Sequence, residues 1–223
     1  MLGVYVSVPV ACFRKGLARE YLETESIPPP ATCYGFLLSL VGETQRSRHV
    51  GARVTATMLN QPPISVVLRT VWRIKKIPLG SSGNTRPDYQ QLLTGIELVI
   101  WLDSSAELGK PPMLEDRIRQ ALHPKTRSKI IRFGGLSLGE STHLVDTAEL
   151  LTENLRLRLI ERLEIAGIVP RTYLQTEQGL IGLPVWVDHV GSSGTMHVIG
   201  DLTQSEGLEP PPIERIPQIC PPG

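Results

Sequence analysis

In "LRTVWRIKKI" the cations Arg69, Arg73 and Lys75 fall on one side of an extended segment, with Lys76 beside them. Alternate positions of a strand recur roughly every 6–7 Å, a spacing that lets successive side chains meet a single-stranded polyanion. A second basic run, Lys125, Arg127, Lys129 and Arg132, leads directly into "RFGGLSLGES". There Gly134, Gly135 and Gly139 strip side chains from the chain, so that backbone N–H groups can come close to a phosphate. No GKS or GKT follows, and the glycine spacing is not that of a dinucleotide-binding turn. The chemistry on offer is binding of a flexible anionic chain, with a solvated strand face and a plain flexible turn as the bland alternatives.

Groups able to move protons are few. His49, His123, His143, His189 and His197 lack metal-ligand spacing, and neither HExxH nor GxSxG occurs. His123, with Lys125 and Tyr34, supplies the side-chain types for metal-free RNA cleavage, in which a base activates the 2′-hydroxyl and a cation steadies the phosphorane. A surface histidine ending a helix is the plainer account of His123. Cys12, Cys33 and Cys220 are odd in number and form no CxxC, so reduced thiols are expected, with no disulfide framework, metal or cofactor.

The 223 residues, 41% of them hydrophobic, can bury a substantial core. No apolar run reaches the roughly 20 residues of a membrane-spanning helix, and "MLGVYVSVPV" reads as a strand rather than a leader, so a cytoplasmic protein is expected. The formal net charge of +1 conceals an asymmetry. Residues 1–134 hold 18 Lys and Arg against 10 Asp and Glu, and residues 135–223 hold 5 against 12. A basic first part suits a nucleic-acid partner, and two complementary halves docking on each other is the structural alternative.

These residues need a scaffold. Leu2, Val4, Val6 and Val8 alternate as a first strand. Pro28, Pro29 and Pro30 suit the start of a helix, and Tyr34, Leu37, Leu38 and Val41 recur at helical spacing before Gly42. In "PISVVLRTVWRIKKIPL" a second strand is expected to turn Val66, Leu68, Thr70, Trp72 and Ile74 to the core and its cations outward. A turn-rich excursion, "PLGSSGNTRP", separates it from a third strand, "LLTGIELVIWLD". "PPMLEDRIRQALH" reads as a second helix with Leu114, Ile118, Ala121 and Leu122 as its stripe, and "THLVDTAELL" as a fourth strand. This order, βαββαβ, is that of an α+β, ferredoxin-like (RRM-like) split arrangement. "LRLRLIERLEIAG" fits both strand and helix spacing and stays open. "IGLPVWVDHVGSSGTMHVIGDL" reads as a hairpin, and six prolines after Gln204 indicate an extended tail.

The strand running into "FRKG", then "IPPPATCYGFLLSLVG", "NTRPDYQQLL" and "RFGGLSLGES" together resemble the CRISPR-associated protein 5 family, RAMP subunits of type I Cascade complexes. The likeness covers residues 1 to about 150. It implies a ferredoxin-like palm over 1–151 with a thumb hairpin inserted at about 76–93. A smaller β-rich region over 152–203 and a Pro-rich tail over 204–223 complete the expected organisation.

The resemblance further implies a non-catalytic subunit that caps the assembly and holds the 5′ handle of the CRISPR RNA. Its partners would be the repeated backbone subunits, the large subunit, target DNA reached through the complex and, in RNA-guided transposition, transposition proteins. Phe13, Arg14 and Lys15 would lie near the handle. Arg86, Tyr89 and Ser81 to Asn84 would belong to the thumb. Gly134, Gly135, Ser137, Gly139 and Ser141 would follow the RNA backbone, joined by Arg69, Arg73, Lys75, Lys125 and Arg127. One branch of the family cleaves repeat RNA with Tyr, Lys and His. Tyr34 is present here without an adjacent Lys-His pair, so a metal-independent endoribonuclease is the second reading.

Overall fold

The N-terminal alternation forms the strand β1, Leu2–Ala11, in a computed structural model that describes residues 1–16, 21–72, 80–132, 134–190, 193–205 and 207–222. Pro29 caps and Pro30 opens α1, Pro30–Leu40, where a missing N–H costs nothing. The helix stops at Gly42, whose φ is +67° and whose Cβ, if present, would lie 2.1 Å from the Ile131 carbonyl oxygen. Only glycine tolerates both demands.

The short β2, Tyr21–Leu22, precedes this helix, and the chain continues through β3, Arg53–Met58; β4, Ile64–Trp72; and β5, Thr85–Asp103. After these come α2, Leu114–Leu122; β6, Thr147–Leu150; α3, Glu153–Ala166; β7, Arg171–Gln175; β8, Ile181–Trp186; and β9, Met196–Gln204. The described strands join one sheet in the order β6-β1-β5-β3-β7-β9-β8, with β2 and β4 attached to β5. All pairs are antiparallel except β2 with β5. The molecule is a mixed α/β protein with a mainly antiparallel sheet and three α-helices among the described residues.

One sheet face carries Val4, Val6, Leu98, Ile100 and Leu102 against Phe36, Leu37 and Leu40 of α1 and Leu114 and Ile118 of α2. The other face presents Val99 and Trp101 to Leu155, Leu159 and Leu163 of α3. The open segment at 155–163 is thus helical: its buried leucines are four apart, and Leu157 faces solvent. Thr152 caps it by accepting from the Leu155 amide, and Gly167 ends it at φ +63°.

Two expectations change. The second strand beside the core is β3, whose Val54, Ala56 and Met58 face the helices. The segment from Ile64 instead pairs with the outer half of β5, and its supposed core face is open: Ile64, Val66 and Leu68 are 57, 52 and 64% exposed. β4 has the stronger alternation, but β3 has the neighbours. β5 is accordingly 19 residues long and serves the central sheet with one half and this hairpin with the other. Residues 64–72 pair with residues 85–93, so the range expected for an insertion, about 76–93, holds only the second arm of this hairpin.

The tail is also more than an extended trailer. Leu208, Ile216 and Ile219 are fully buried, and residues 217–219 bond to residues 51–54, which lead into β3, through Gly51 N to Ile219 O, Val54 N to Pro217 O and Ile219 N to Ala52 O. β7 pairs with β3 only at Thr57 and Met58, so the tail takes up the edge that remains.

Buried charges tie α1 to α2. His49 faces Glu107 through Nδ1 and Arg117 through Nε2, the latter at 2.9 Å. Arg117 has no lone pair to offer, so Nε2 accepts and Nδ1–H donates to Glu107. Glu107 also accepts from the Leu114 amide at 3.1 Å, supplying the N-terminal acceptor that Met113 lacks. Arg117 bonds Glu43 and the Val41 carbonyl beyond the end of α1, and Arg48 adds a 3.2 Å contact to Glu43.

Candidate nucleic-acid interface

The glycine loop is seated on the end of β1. Gly139 has φ +92°, and a Cβ there would meet the Cys12 carbonyl oxygen at 2.7 Å and the Phe13 ring at 3.5 Å. The loop folds on itself through Leu138 N to His143 O and Val145 N to Leu136 O, while buried Leu138 anchors it in the core. Gly134, with φ +79°, Gly135 and Ser141 are exposed, and Ser137 is half-buried opposite Leu144. The Cys12 amide donates to His143 Nδ1 at 3.2 Å. That bond needs an unprotonated Nδ1, in keeping with burial, which pushes the imidazole below its ordinary pKa; nearby Glu140 opposes this and Arg69 adds to it.

Phe13 is only 1% exposed, so its ring is a support beneath the glycine loop. Its amide donates to Thr24 Oγ1 and its carbonyl accepts from Glu25, which holds the following residues, Arg14 and Lys15, in an exposed bridge to residues 23–25. Arg69 stands across from Asp88 on the hairpin, 3.6 Å from its carboxylate, and 3.9 Å from Glu140 of the glycine loop. The loop and the hairpin, far apart in sequence, therefore meet at one guanidinium. Among the described residues, Arg69 Nε, Asp88 Oδ1 and Gln90 Nε2 are buried there without a hydrogen-bond partner.

Tyr89 lies on the other hairpin face, 48% exposed and 6.3 Å from the ring of Tyr21. Arg86 is half-buried on the same arm as Tyr89. Lys125 and Arg127 are exposed on the segment after α2, whose continuation at Ile131 rests on Gly42. Arg73, Lys75 and Lys76 lie outside the described residues. Asp88, Glu140, Tyr21, Arg46 and Trp186 carry no local signal in the sequence, because their contacts come from distant segments.

Among the described residues, no group of three His, Cys, Asp or Glu is placed to hold a metal ion, and no helix is long and apolar enough to cross a membrane. Tyr34, the candidate for acid–base chemistry, donates its hydroxyl to the Arg46 carbonyl at 2.6 Å, and burial pushes its pKa up. His123 accepts the Lys125 amide through Nδ1 at 3.2 Å in an exposed position.

The fold as a whole is similar to that of solved chains. A chain described as "CRISPR RNA-guided surveillance complex" superposes with TM-score 0.60 over 91% of this chain and 90% of its own, at 14% identity. A second, "Crystal structure of Cas protein", gives 0.52 over 97% of each at 13% identity. No family model matches the sequence. The relative "CRISPR-associated protein Cas5" of Myxococcus xanthus (strain DK1622) is 49% identical over 221 residues, 98% of this chain and 97% of its own. The chain belongs to the CRISPR-associated Cas5 family.

Proposed function

We propose that this protein is the non-catalytic RNA-binding subunit of a type I Cascade complex, capping the assembly and holding the 5′ handle of the CRISPR RNA. The observation that carries this reading is the convergence of the glycine loop, the Arg14–Lys15 bridge and the Arg69 hairpin around the end of β1. In this reading strands β6-β1-β5-β3 with α1 and α2 on one face would serve as the ferredoxin-like palm, and β4 with the outer half of β5 as the thumb. RNA would run over the loop through phosphate and ribose contacts, with bases splayed from it. Backbone subunits and the large subunit would complete the assembly, and the proteins it recruits would decide between defence and RNA-guided transposition. Engagement of the Tyr34 hydroxyl by a backbone carbonyl supports a binding role over cleavage.

Co-expression with the genomic neighbours, purification through a tag on this chain and sequencing of the RNA that accompanies it tests the proposal. Uniform guides sharing one short 5′ end are expected, and they are lost with Arg69→Gln combined with Gly139→Val. A complex that assembles without such RNA would falsify the handle role. Cleavage of repeat RNA in EDTA by the purified protein, abolished by Tyr34→Phe or His123→Ala, would establish the endoribonuclease instead.

A further inference from the structure

A cavity of about 470 Å³ opens between α1, the glycine loop and β8, within the roughly 300–1,000 Å³ typical of small-ligand sites. Gly35 sits on its wall in the middle of α1, and a Cβ there would meet no atom within 4 Å. A glycine inside a helix is less stable than alanine, and neither a positive φ nor a close neighbour requires one here. What it provides is a flat wall, continued by Ala31 and Ser39 one turn to either side.

Opposite stands a stacking surface fixed in advance. The Arg46 guanidinium lies 4.2 Å from the centre of the Trp186 ring. Its Nη2 donates to the Val187 carbonyl at 2.9 Å, and its own carbonyl is held by Tyr34. A planar cation laid on an indole is a platform on which nucleobases stack. Glu43, the carboxylate at the wall, is already matched by Arg117 and Arg48 and so offers little repulsion to RNA. Ser137 and Gly139 of the glycine loop line the same space, which puts it within reach of a strand following that loop.

We propose that this cavity receives a single nucleobase of single-stranded RNA, turned out of the strand and stacked on the Arg46–Trp186 pair. The proposal rests on the RNA-binding reading above and assigns that reading a base pocket away from the hairpin.

The test is fluorescence anisotropy with single-stranded RNA of the source organism's CRISPR repeat, intact or carrying one abasic nucleotide at each position in turn. For the wild type, one abasic position is expected to weaken binding about tenfold, the scale of a lost stacked base. Gly35→Leu fills open space, so its unfolding midpoint should hold while intact RNA binds about tenfold more weakly. In that variant the same abasic position should cost nothing further, and Ser39→Met should repeat the pattern. Wild-type affinity in both variants overturns the proposal. So does retained RNA affinity with loss of a co-purifying subunit, which would mean that a protein side chain fills the cavity. If the wild type itself fails to bind the RNA at low salt, the RNA reading falls, and the abasic series tells the two failures apart.

Discussion

At the scale of single residues, Arg69 is held by two carboxylates and closely by neither. Asp88 lies 3.6 Å away on its own hairpin and Glu140 3.9 Å away on the glycine loop. Any phosphate reaching Arg69 must compete with Glu140, so Glu140→Gln should tighten single-stranded RNA by about two- to fivefold, the weight of a partly exposed ion pair. Arg69→Gln should weaken it and lower the slope of log affinity against log salt by about 1, because one phosphate contact is lost. Titrating both variants from low to moderate salt checks this, and a looser Glu140→Gln would refute the competition. The cation was legible from strand spacing; the two acids were not, because spacing along one segment says nothing of a charge brought in from another. Phe13 shows the same limit in reverse: its neighbours Arg14 and Lys15 are exposed as their charge requires, while the ring, adjacent in sequence, is buried under Gly139.

Between elements, the decisive contacts are the charges joining α1 to α2. Burial pushes the Glu43 carboxyl up, but the Gln45 amide and the Arg117 and Arg48 guanidiniums outweigh it and hold the pKa down to about 2. Glu107 is likewise lowered: burial raises it, and His49, the Leu114 amide and Ser104 prevail. Carboxyls depressed in the fold contribute stability above their unfolded pKa, near 4.3, and lose it as pH falls toward the folded value. The thermal midpoint should therefore drop between about pH 4.5 and pH 2, and Glu43→Gln should be less stable at pH 7 with a flatter acid limb. An acid limb as steep in Glu43→Gln as in the wild type would place the lability elsewhere. Helix α1 was readable because prolines open a run that is buried on most sides, and α2 because it buries a stripe, whereas the leucines of α3 fit strand and helix spacing alike. β3 was hidden because Thr55 and Thr57 are buried too, through bonds to the Tyr173 carbonyl and to Thr172, so its polar positions do not mark a solvent face. β4 misled because an apolar, alternating strand looks like core whether or not a helix covers it.

At the scale of the whole molecule, the proline-rich terminus closes the fold. Its composition suggests a chain with too little apolar surface to be held, yet three of its four large aliphatic residues, at 208, 216 and 219, are buried, and Ile213 alone of the four is exposed. Prolines suit the role, since an edge segment needs acceptors more than donors and Pro217 supplies its carbonyl to Val54. Burying three such side chains contributes on the order of 5 kcal/mol or more, at roughly 1.5–3 kcal/mol each. That is comparable with the whole stability of a typical domain, roughly 5–15 kcal/mol. Ile219→Ala should cost about 2–5 kcal/mol, read as a fall in the urea midpoint at unchanged slope. Removal of residues 207–223 should go further, because it uncovers the residue 51–54 edge and part of the face packed by α3, where Leu208 lies among Leu155, Leu159 and Leu163. A truncated chain with the wild-type midpoint would show that β3 and α3 are held without the tail, and would return the terminus to the status of a linker.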